Sequence, residues 1–277
     1  MNLQLLGPVE GRLEGRPLPL GATKQRAVLA MLALQANETV SVNRLVDGLW
    51  GDEPPATATK MVQLYVSQLR RLLGDDDAEI VTHGRGYQLR VDPDAVDVAR
   101  FESLVEEAGR HTGAPNDRAR EALELWRGAP LANVAEEPFA AAEIRRLEEL
   151  RLRAAELAVD GDLAAGRDQK ALAELERLVE EHPLRERFHA QRMLALYRCG
   201  RQAEALEAYA TARRQLVEEV GVEPSAELRE LQARILRQDP SLERPAAPPS
   251  LPAERRAPRE PEPPPPTRSV TARRLAW

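Results

Sequence analysis

A chain of 277 residues can hold roughly two domains, and its 43% hydrophobic content with 4% aromatic residues favours helices packed through Leu, Ala and Val. One cysteine, Cys199, excludes an intramolecular disulfide. The sequence lacks the basic start of a signal peptide and any apolar run of about 18 residues that could span a membrane. We therefore expect a cytoplasmic protein.

The net charge of −6 is unevenly distributed. Residues 1–92 carry 10 basic and 11 acidic side chains, residues 93–239 carry 22 and 30, and residues 240–277 carry 7 and 4. Exposed charges are largely screened beyond about 8 Å at physiological salt. The near-neutral N-terminal region can therefore present a local basic face despite the acidity of the whole chain.

The N-terminal region begins with a predicted antiparallel sheet of three short strands. Their segments, separated by Gly and Pro, are 3–6, 9–13 and 17–20. Thr23 can cap a helix over residues 24–36, and Asn37 can end it. Ser41 can cap a shorter helix over residues 42–50, which a glycine and two prolines terminate.

The next predicted helix, residues 56–73, carries the main functional signal. Its apolar stripe, at intervals of four, three and four residues, consists of Val62, Val66, Leu69 and Leu73. No Asp or Glu interrupts these positions, so phosphates could approach the polar face without like-charge repulsion. By itself this could be an ordinary amphipathic helix whose basic end complements its own dipole.

The elements around this helix favour DNA binding. Two predicted strands, residues 80–82 and 87–91, are joined by His83-Gly84-Arg85-Gly86, whose glycines allow a tight reversal. Strands, three helices and a hairpin predict a winged helix-turn-helix domain over residues 1–92, with residues 56–73 as the recognition helix in the major groove.

The outward-facing residues predicted on this helix and on the wing fall into groups according to the part of the DNA that each would contact. Those expected at base edges are Gln63, Leu64, Ser67 and Gln68. Amide side chains can pair with adenine, and a leucine can pack on a thymine methyl. Those expected at phosphates are Lys60, Arg70 and Arg71. Arg85 suits the adjacent minor groove, with plain solvation as the alternative.

From residue 93 the pattern becomes helical. A shift of 34 residues, the period typical of tetratricopeptide repeats, aligns Leu163 with Tyr197, Gly166 with Gly200 and Ala171 with Ala205. A third, divergent unit resembles these near Ala122, so about three helix pairs are predicted over residues 93–239. Residues 240–277 are too Pro-rich and polar to bury a core and predict a disordered tail.

Catalytic and metal-binding patterns are absent from the sequence. The four histidines, His83, His111, His182 and His189, share no metal-ligand spacing with each other or with Cys199. No P-loop, dinucleotide fingerprint, nucleophile elbow or HExxH motif occurs, and the acidic run Asp75–Asp77 is expected to be solvated. We expect no metal, no cofactor and no enzymatic activity.

Six blocks in fixed order, spread over residues 1–240, carry a family resemblance: ATKQRAVLAMLALQAN, VSVNRLVDGLWGDEPPATA, LYVSQLRRLLG, GYQLRVDPDAVDVARFE, LELWRGAPLANV and EEVGVEPSAELRELQARIL. The chain resembles the Streptomyces antibiotic regulatory protein family. The resemblance implies a mainly helical protein with small β-sheets: an OmpR-type winged helix, then a tetratricopeptide-like bacterial transcriptional activator domain. It also implies an activator of secondary-metabolite genes that binds promoter direct repeats as a homodimer and contacts RNA polymerase holoenzyme.

By position, the resemblance implies that the DNA-facing residues are Lys24, Gln25, Lys60, Gln63, Ser67, Arg70 and Arg71. The sequence departs from the usual family residues at Lys60-Met61, Leu64 and Gln68, which bears on base preference. Two other classes of function stay open from the residues themselves. One is a repeat-type adaptor whose winged helix binds protein, and the other is a regulator whose helical domain binds a small molecule.

Overall fold

Short strands and amphipathic helices alternate at the N-terminus of the computed structural model, which describes residues 1–74, 78–110 and 117–243. An antiparallel sheet in the order β1-β2-β3 is formed by β1 (Asn2–Gln4), β2 (Glu10–Leu13) and β3 (Arg16–Pro17). Three helices follow: α1 (Thr23–Ala33), α2 (Val42–Trp50) and α3 (Ala58–Leu73). A second sheet, in the order β4-β6-β5, contains β4 (Thr39–Ser41), β5 (Ala78–His83) and β6 (Gly86–Val91).

The starts of α1 and α2 show how far capping can be predicted. The Ser41 hydroxyl accepts a hydrogen bond from the Arg44 N–H at 3.1 Å, which confirms the predicted cap of α2. The prediction for Thr23 is wrong, because the chain is already helical there. Its hydroxyl instead accepts from the Arg26 guanidinium at 3.2 Å.

Strand β4 is an element that the sequence pattern did not predict, because three residues are too few to show an alternation. It pairs antiparallel with β6 and places Val40 opposite Tyr87, both buried. Asn37, which adopts a left-handed φ of 65°, precedes it and donates from its side chain to the Val91 carbonyl at 2.9 Å. These bonds attach the β5–β6 hairpin to the helical part of the N-terminal region.

The remainder of the described chain is helical, as predicted. Its helices are α4 (Asp97–Arg110), α5 (Arg118–Glu124), α6 (Ala140–Ala164), α7 (Asp168–Glu181), α8 (Glu186–Arg198), α9 (Gln202–Glu219) and α10 (Ala226–Leu236). Gly166 and Gly200 make the turns before α7 and α9 with φ of 70° and 76°, a left-handed conformation that favours glycine. Ala171 and Ala205 are fully buried, as the 34-residue period requires. The predicted fold class is confirmed.

Some sequence predictions fall outside the described residues, namely those for Asp75–Asp77, for His111 and for the tail from residue 244 onward. The first residues assigned to that tail are described. Pro240–Leu242 form a short 3-10 helix, and Leu242 is buried with its carbonyl accepting from Arg198 Nε at 2.9 Å. The ordered helical region therefore extends past residue 239.

A buried carboxylate connects the N-terminal sheet to the first helix of the helical region. Asp97, at the start of α4, accepts hydrogen bonds from the backbone N–H of Leu5 at 2.7 Å and of Leu6 at 3.0 Å. Burial raises the pKa of the Asp97 carboxyl, although these N–H groups and Arg127 oppose the shift. These hydrogen bonds join Asp97 to residues that lie 92 and 91 positions earlier in the sequence, Leu5 and Leu6.

The segment between α5 and α6 forms a second connection to the N-terminal region. The Arg127 N–H donates to the Leu6 carbonyl at 2.8 Å, and the Phe139 N–H donates to the Gly48 carbonyl in α2 at 3.1 Å. Between them, the Asn133 side chain accepts from the Val9 N–H at 2.8 Å. The helical region therefore holds both the sheet and α2 by main-chain hydrogen bonds.

Inside the helical region, Asp162 is a fully buried charge shared by three cations. It is ion-paired with Arg120 of α5, with Arg167 at 2.6 Å and with Lys170 of α7 at 3.4 Å. Burial by itself would raise the pKa of Asp162, but the hydrogen bond from Arg167 and the charge of Arg120 outweigh it and lower that pKa. The ionised carboxylate thus joins α5, α6 and α7.

We predict that Asp97→Ala lowers the free energy of unfolding by roughly 2–4 kcal/mol, because two buried N–H groups lose their acceptor. Denaturant unfolding followed by circular dichroism measures the change. Asp94→Ala is the matched control, since Asp94 is an exposed acidic residue three positions earlier. Equal losses in the two variants would contradict the structural role of the carboxylate.

We predict that Asp162→Asn lowers the free energy of unfolding at pH 7 by roughly 2–3 kcal/mol, because the cations around it lose a charged acceptor. The folded-state pKa of Asp162 is lowered, so its contribution is present above the unfolded value of about 3.9 and is lost as the pH falls through the folded value. The difference between the two proteins should therefore shrink below about pH 4. Glu204→Gln, in an exposed pair with Arg201, should change stability little. A pH-independent difference would refute this account.

Candidate nucleic-acid interface

Helix α3 is held at a fixed rotation by its apolar stripe. Val62, Val66, Leu69 and Leu73 are all buried, as predicted, and the helix packs against α1, α2 and β5. Because the stripe faces the core along the whole helix, the opposite face must point outward. The sequence pattern therefore identified the helix and its buried side correctly.

Six of the predicted DNA-contacting residues lie together on the outward side of α3: Lys60, Gln63, Leu64, Ser67, Gln68 and Arg71. Their spacing of three, one, three, one and three residues places them on one helical face. Ser67 and Gln68 are half-buried and the other four are exposed, with Leu64 53% exposed. The face combines two amides, a hydroxyl, an aliphatic side chain and two cations without a carboxylate.

Arg70 lies at the side of this face and contacts the hairpin. Its Nε donates to the Ile80 carbonyl at 2.7 Å, and its Nη2 donates to the Thr82 hydroxyl at 2.8 Å. The guanidinium carbon also lies 5.7 Å from the centre of the Tyr87 ring. Arg70 was expected to contact phosphate, but in this structure it joins α3 to β5 and β6.

The β5–β6 hairpin forms the predicted wing. His83 pairs with Gly86, which leaves Gly84 and Arg85 as a two-residue turn, and Gly84 has a left-handed φ of 57°. Arg85 is exposed, while its carbonyl accepts from the Val42 N–H at the start of α2 at 3.0 Å. A Cβ atom on Gly86 would lie 2.4 Å from the Val40 carbonyl oxygen, so this position requires glycine. The wing is therefore fixed to α2 and β4.

Lys24 and Gln25 are not part of the α3 face. The Lys24 ammonium donates to the Leu49 carbonyl and to Glu137 Oε2 at 2.7 Å, and it lies 5.4 Å from the Trp50 ring centre. Gln25 is only 6% exposed. Their side chains are used inside the protein, so we leave both out of the proposed DNA surface.

Sequence reasoning also missed a basic residue near the wing. Arg44 is exposed on the first turn of α2, two residues after the Val42 N–H that meets the wing turn. Its position three residues after the Ser41 cap was the available signal, since groups at the N-terminus of a helix can contact phosphates.

Metal sites and membrane-spanning helices can be checked among the described residues. Within them, no group of three His, Cys, Asp or Glu side chains could hold a metal ion. None of the helices in these ranges is long and apolar enough to cross a membrane.

Comparisons with known protein families match both regions of the chain. Residues 15–89 match the family described as "Transcriptional regulatory protein, C terminal", and residues 96–236 match the "Bacterial transcriptional activator domain". The first match contains α3 and most of the wing, and the second contains α4 through α10.

Characterised relatives include the regulatory protein DnrI of Streptomyces peucetius, which is 41% identical over 88% of this chain and 95% of its own length. The transcriptional regulator RedD of Streptomyces coelicolor is 37% identical over 89% of this chain and 73% of its own length. The regulatory protein AfsR of Streptomyces griseus is 41% identical over 90% of this chain. The chain spans only about a quarter of the length of AfsR, with 26% covered.

Among solved structures, EmbR of Mycobacterium tuberculosis in complex with a low affinity phosphopeptide superposes with a TM-score of 0.82. It is 34% identical, and the match covers 86% of this chain and 65% of EmbR. The order of the two matched domains and the near full-length similarity to DnrI agree with the fold. The chain therefore belongs to the Streptomyces antibiotic regulatory protein family of transcriptional regulators, with an OmpR-type DNA-binding domain and a bacterial transcriptional activator domain.

Proposed function

We propose that this regulator binds duplex DNA sequence-specifically, activates a secondary-metabolite gene cluster and acts in the cytoplasm by binding, not by catalysis. The observation that carries the proposal is the outward face of α3, where two amides, a hydroxyl, an aliphatic side chain and two cations share one helical face without a carboxylate. Such a set of side chains suits base edges and phosphates. The adjoining wing, held to the start of α2 by the hydrogen bond from the Val42 N–H to the Arg85 carbonyl, would add a second DNA contact.

The central part of the face is suited to the floor of the major groove. Gln63 and Gln68 present amides that can pair with adenine, and Ser67 offers a hydroxyl between them. Leu64 holds an aliphatic side chain in solvent, which favours contact with the methyl group of thymine. These four residues would read the base sequence.

The ends of the face and the wing are suited to the sugar-phosphate backbone. Lys60 lies in the first turn of α3 and Arg71 in the last, so the two cations can bind phosphates on either side of the groove. Arg85 on the wing would enter or border the neighbouring minor groove. Arg70 would act differently, as a positioning residue that sets the wing relative to α3.

Two further parts of the proposal rest on family membership. We expect two protomers to bind tandem direct repeats in the promoter and to contact RNA polymerase holoenzyme. Protomers on repeats of the same direction are related head to tail, so their mutual contact would use two different surfaces. Footprinting on promoters beside the protein's own gene should show protection of two repeats in the same direction.

We predict that the triple variant Lys60→Ala, Arg71→Ala, Arg85→Ala binds its footprinted promoter fragment more weakly. The slope of log affinity against log salt should become shallower by about 2–3, because each lost phosphate contact releases about one counterion fewer. Fluorescence anisotropy at several salt concentrations measures both quantities. Arg229→Ala, on the exposed surface of α10, is the control. An unchanged slope in the triple variant would sink the DNA-binding proposal.

We predict that Arg70→Lys lowers promoter affinity by about tenfold while the salt slope stays as in the parent, because lysine keeps the charge but loses the two-point contact with β5. Hydroxyl-radical footprinting should show weaker minor-groove protection beside the major-groove site. Thr82→Val, which removes one acceptor and no charge, should act in the same direction. If Arg70→Lys binds like the parent and Arg70→Ala reduces the slope by about one, Arg70 is a phosphate contact instead.

A further inference from the structure

Helices α6, α8 and α10 border a groove that the DNA-binding surface does not use, and we call it the repeat groove. It has a volume of about 320 Å³, and its apolar lining includes Leu163, Leu194 and Leu231. Leu163 and Leu231 lie at equivalent positions of the repeat, because they are separated by twice the 34-residue period. The groove therefore follows the same face of successive helix pairs, and repeat proteins use such faces to bind partners.

A short segment of the chain itself closes one end of the repeat groove. Ser241 and Leu242 line the groove beside α10. The Leu242 side chain is only 3% exposed and belongs to the same apolar core as Leu163 and Ile235. Pro240 and Ser241 remain exposed. The groove thus already holds a peptide segment that is anchored by a single leucine.

Two arginines bind the polar groups of this segment. Arg198 is largely buried, and its Nε donates to the Leu242 carbonyl at 2.9 Å. Arg234 Nη2 donates to the Ser241 hydroxyl at 2.8 Å, and its Nε lies 3.5 Å from Asp239 Oδ2. The arginines thus hold a main-chain carbonyl, a hydroxyl and a carboxylate, which any peptide with Asp and Ser before a leucine can also present.

The shape of the segment is determined by its own four residues. Pro240 occupies the first position of the 3-10 helix, where its fixed φ is favourable. Asp239 caps that helix, since its Oδ1 accepts from the Ser241 N–H at 2.9 Å and its carbonyl accepts from the Leu242 N–H at 3.0 Å. Because every one of these bonds is local, an Asp-Pro-Ser-Leu sequence in another protein can form the same turn.

The link between the segment and α10 is not a favourable one. Gln238 joins them with a left-handed φ of 52°, which residues with a side chain adopt infrequently. Within residues 238–243, Leu242 alone is buried. A competing segment therefore has to replace one apolar contact and a few polar ones, and displacing the internal segment relieves the backbone of Gln238.

The charges of the groove favour a peptide over an anionic small molecule. Arg187, at the opposite end, is ion-paired with Asp160 of α6 at 2.8 Å and with Glu227 of α10 at 3.2 Å. Arg198 and Arg234, the other arginines that line the groove in the described chain, bind the internal segment. A nucleotide or phosphate would therefore have to break existing ion pairs, whereas a peptide turn of the same chemistry reproduces them.

We infer that the repeat groove binds a short turn of the type Asp-Pro-Ser-Leu in a partner protein, and that residues 239–242 of this chain occupy the site as an internal competitor. The partner gains the site only when the internal segment leaves, so its affinity depends on how tightly Leu242 is held. Binding there does not require DNA, since the groove residues lie outside the α3 face and the wing.

The test measures binding of a fluorescein-labelled peptide, RQDPSLE, which copies residues 237–243. In the full chain, Leu242→Ser removes the internal anchor and should bind the peptide at least about tenfold more tightly than the parent, because a tethered competitor acts at high effective concentration. Leu236→Ser, an exposed leucine outside the groove, is the matched control and should bind like the parent. A peptide with serine in place of the leucine should bind neither protein.

A second variant guards against a folding defect at the buried leucine. Asp239→Ala combined with Ser241→Ala removes the cap and the Arg234 contacts but leaves the apolar core intact. It should also raise peptide affinity over the parent, by a smaller factor than Leu242→Ser. Far-ultraviolet circular dichroism shows which variants keep the helical fold.

The outcomes decide the inference without reference to DNA. Tighter binding of the leucine peptide by the folded variants would support it. Folded variants that fail to bind the peptide, or that bind it no better than the parent, would overturn it. Equal binding of the serine peptide would show that no leucine site exists. A parent dimer that Leu242→Ser dissociates would replace the partner by a second copy of this chain, which sedimentation velocity would reveal.

Discussion

The hydrogen bonds that Asp97 accepts from the strand segment after β1 are the constraint on which the arrangement of this protein depends. A buried backbone N–H must find an acceptor inside the protein, and the acceptor for Leu5 and Leu6 is provided by the first helix of the other region. The N–H groups of Arg127 and Phe139 likewise find their acceptors in the N-terminal region, at the Leu6 carbonyl beside the sheet and at the Gly48 carbonyl in α2. Two sequence regions with separate family matches are thereby joined through hydrogen bonds that neither region could satisfy alone.

Lys24 shows how this junction reaches the DNA-binding elements. Its ammonium lies between the carbonyl of Leu49 near the end of α2, the ring of Trp50 and the carboxylate of Glu137 in the helical region. A conformational change in the segment between α5 and α6 would therefore displace α2 first, and α2 packs directly against α3. The residue that family resemblance places on DNA instead links the two regions in this structure.

The elements that could be predicted from sequence are those that form through interactions between residues only a few positions apart. The period of Val62, Val66 and Leu69 determines the buried side of α3, and the Ser41 cap needs only the N–H three residues ahead. Strand β4 is too short to show a period, and the roles of Arg70 and Lys24 depend on partners that folding brings close. Arg70 meets Ile80 across 10 residues and Lys24 meets Glu137 across 113, so side-chain type alone could not reveal either contact.

The continuous hydrogen-bonded junction between the two regions also has a consequence for promoter architecture. Because hydrogen bonds join the N-terminal region to the helical region, rotating the operator around the DNA axis must carry the helical region around with it. B-DNA completes a turn in about 10.5 base pairs, so an insertion of roughly five would place the regulator on the opposite side of the helix from the polymerase. In such a protein, activation should follow the helical phase of the operator and return after a whole turn, with DNA occupancy unaffected.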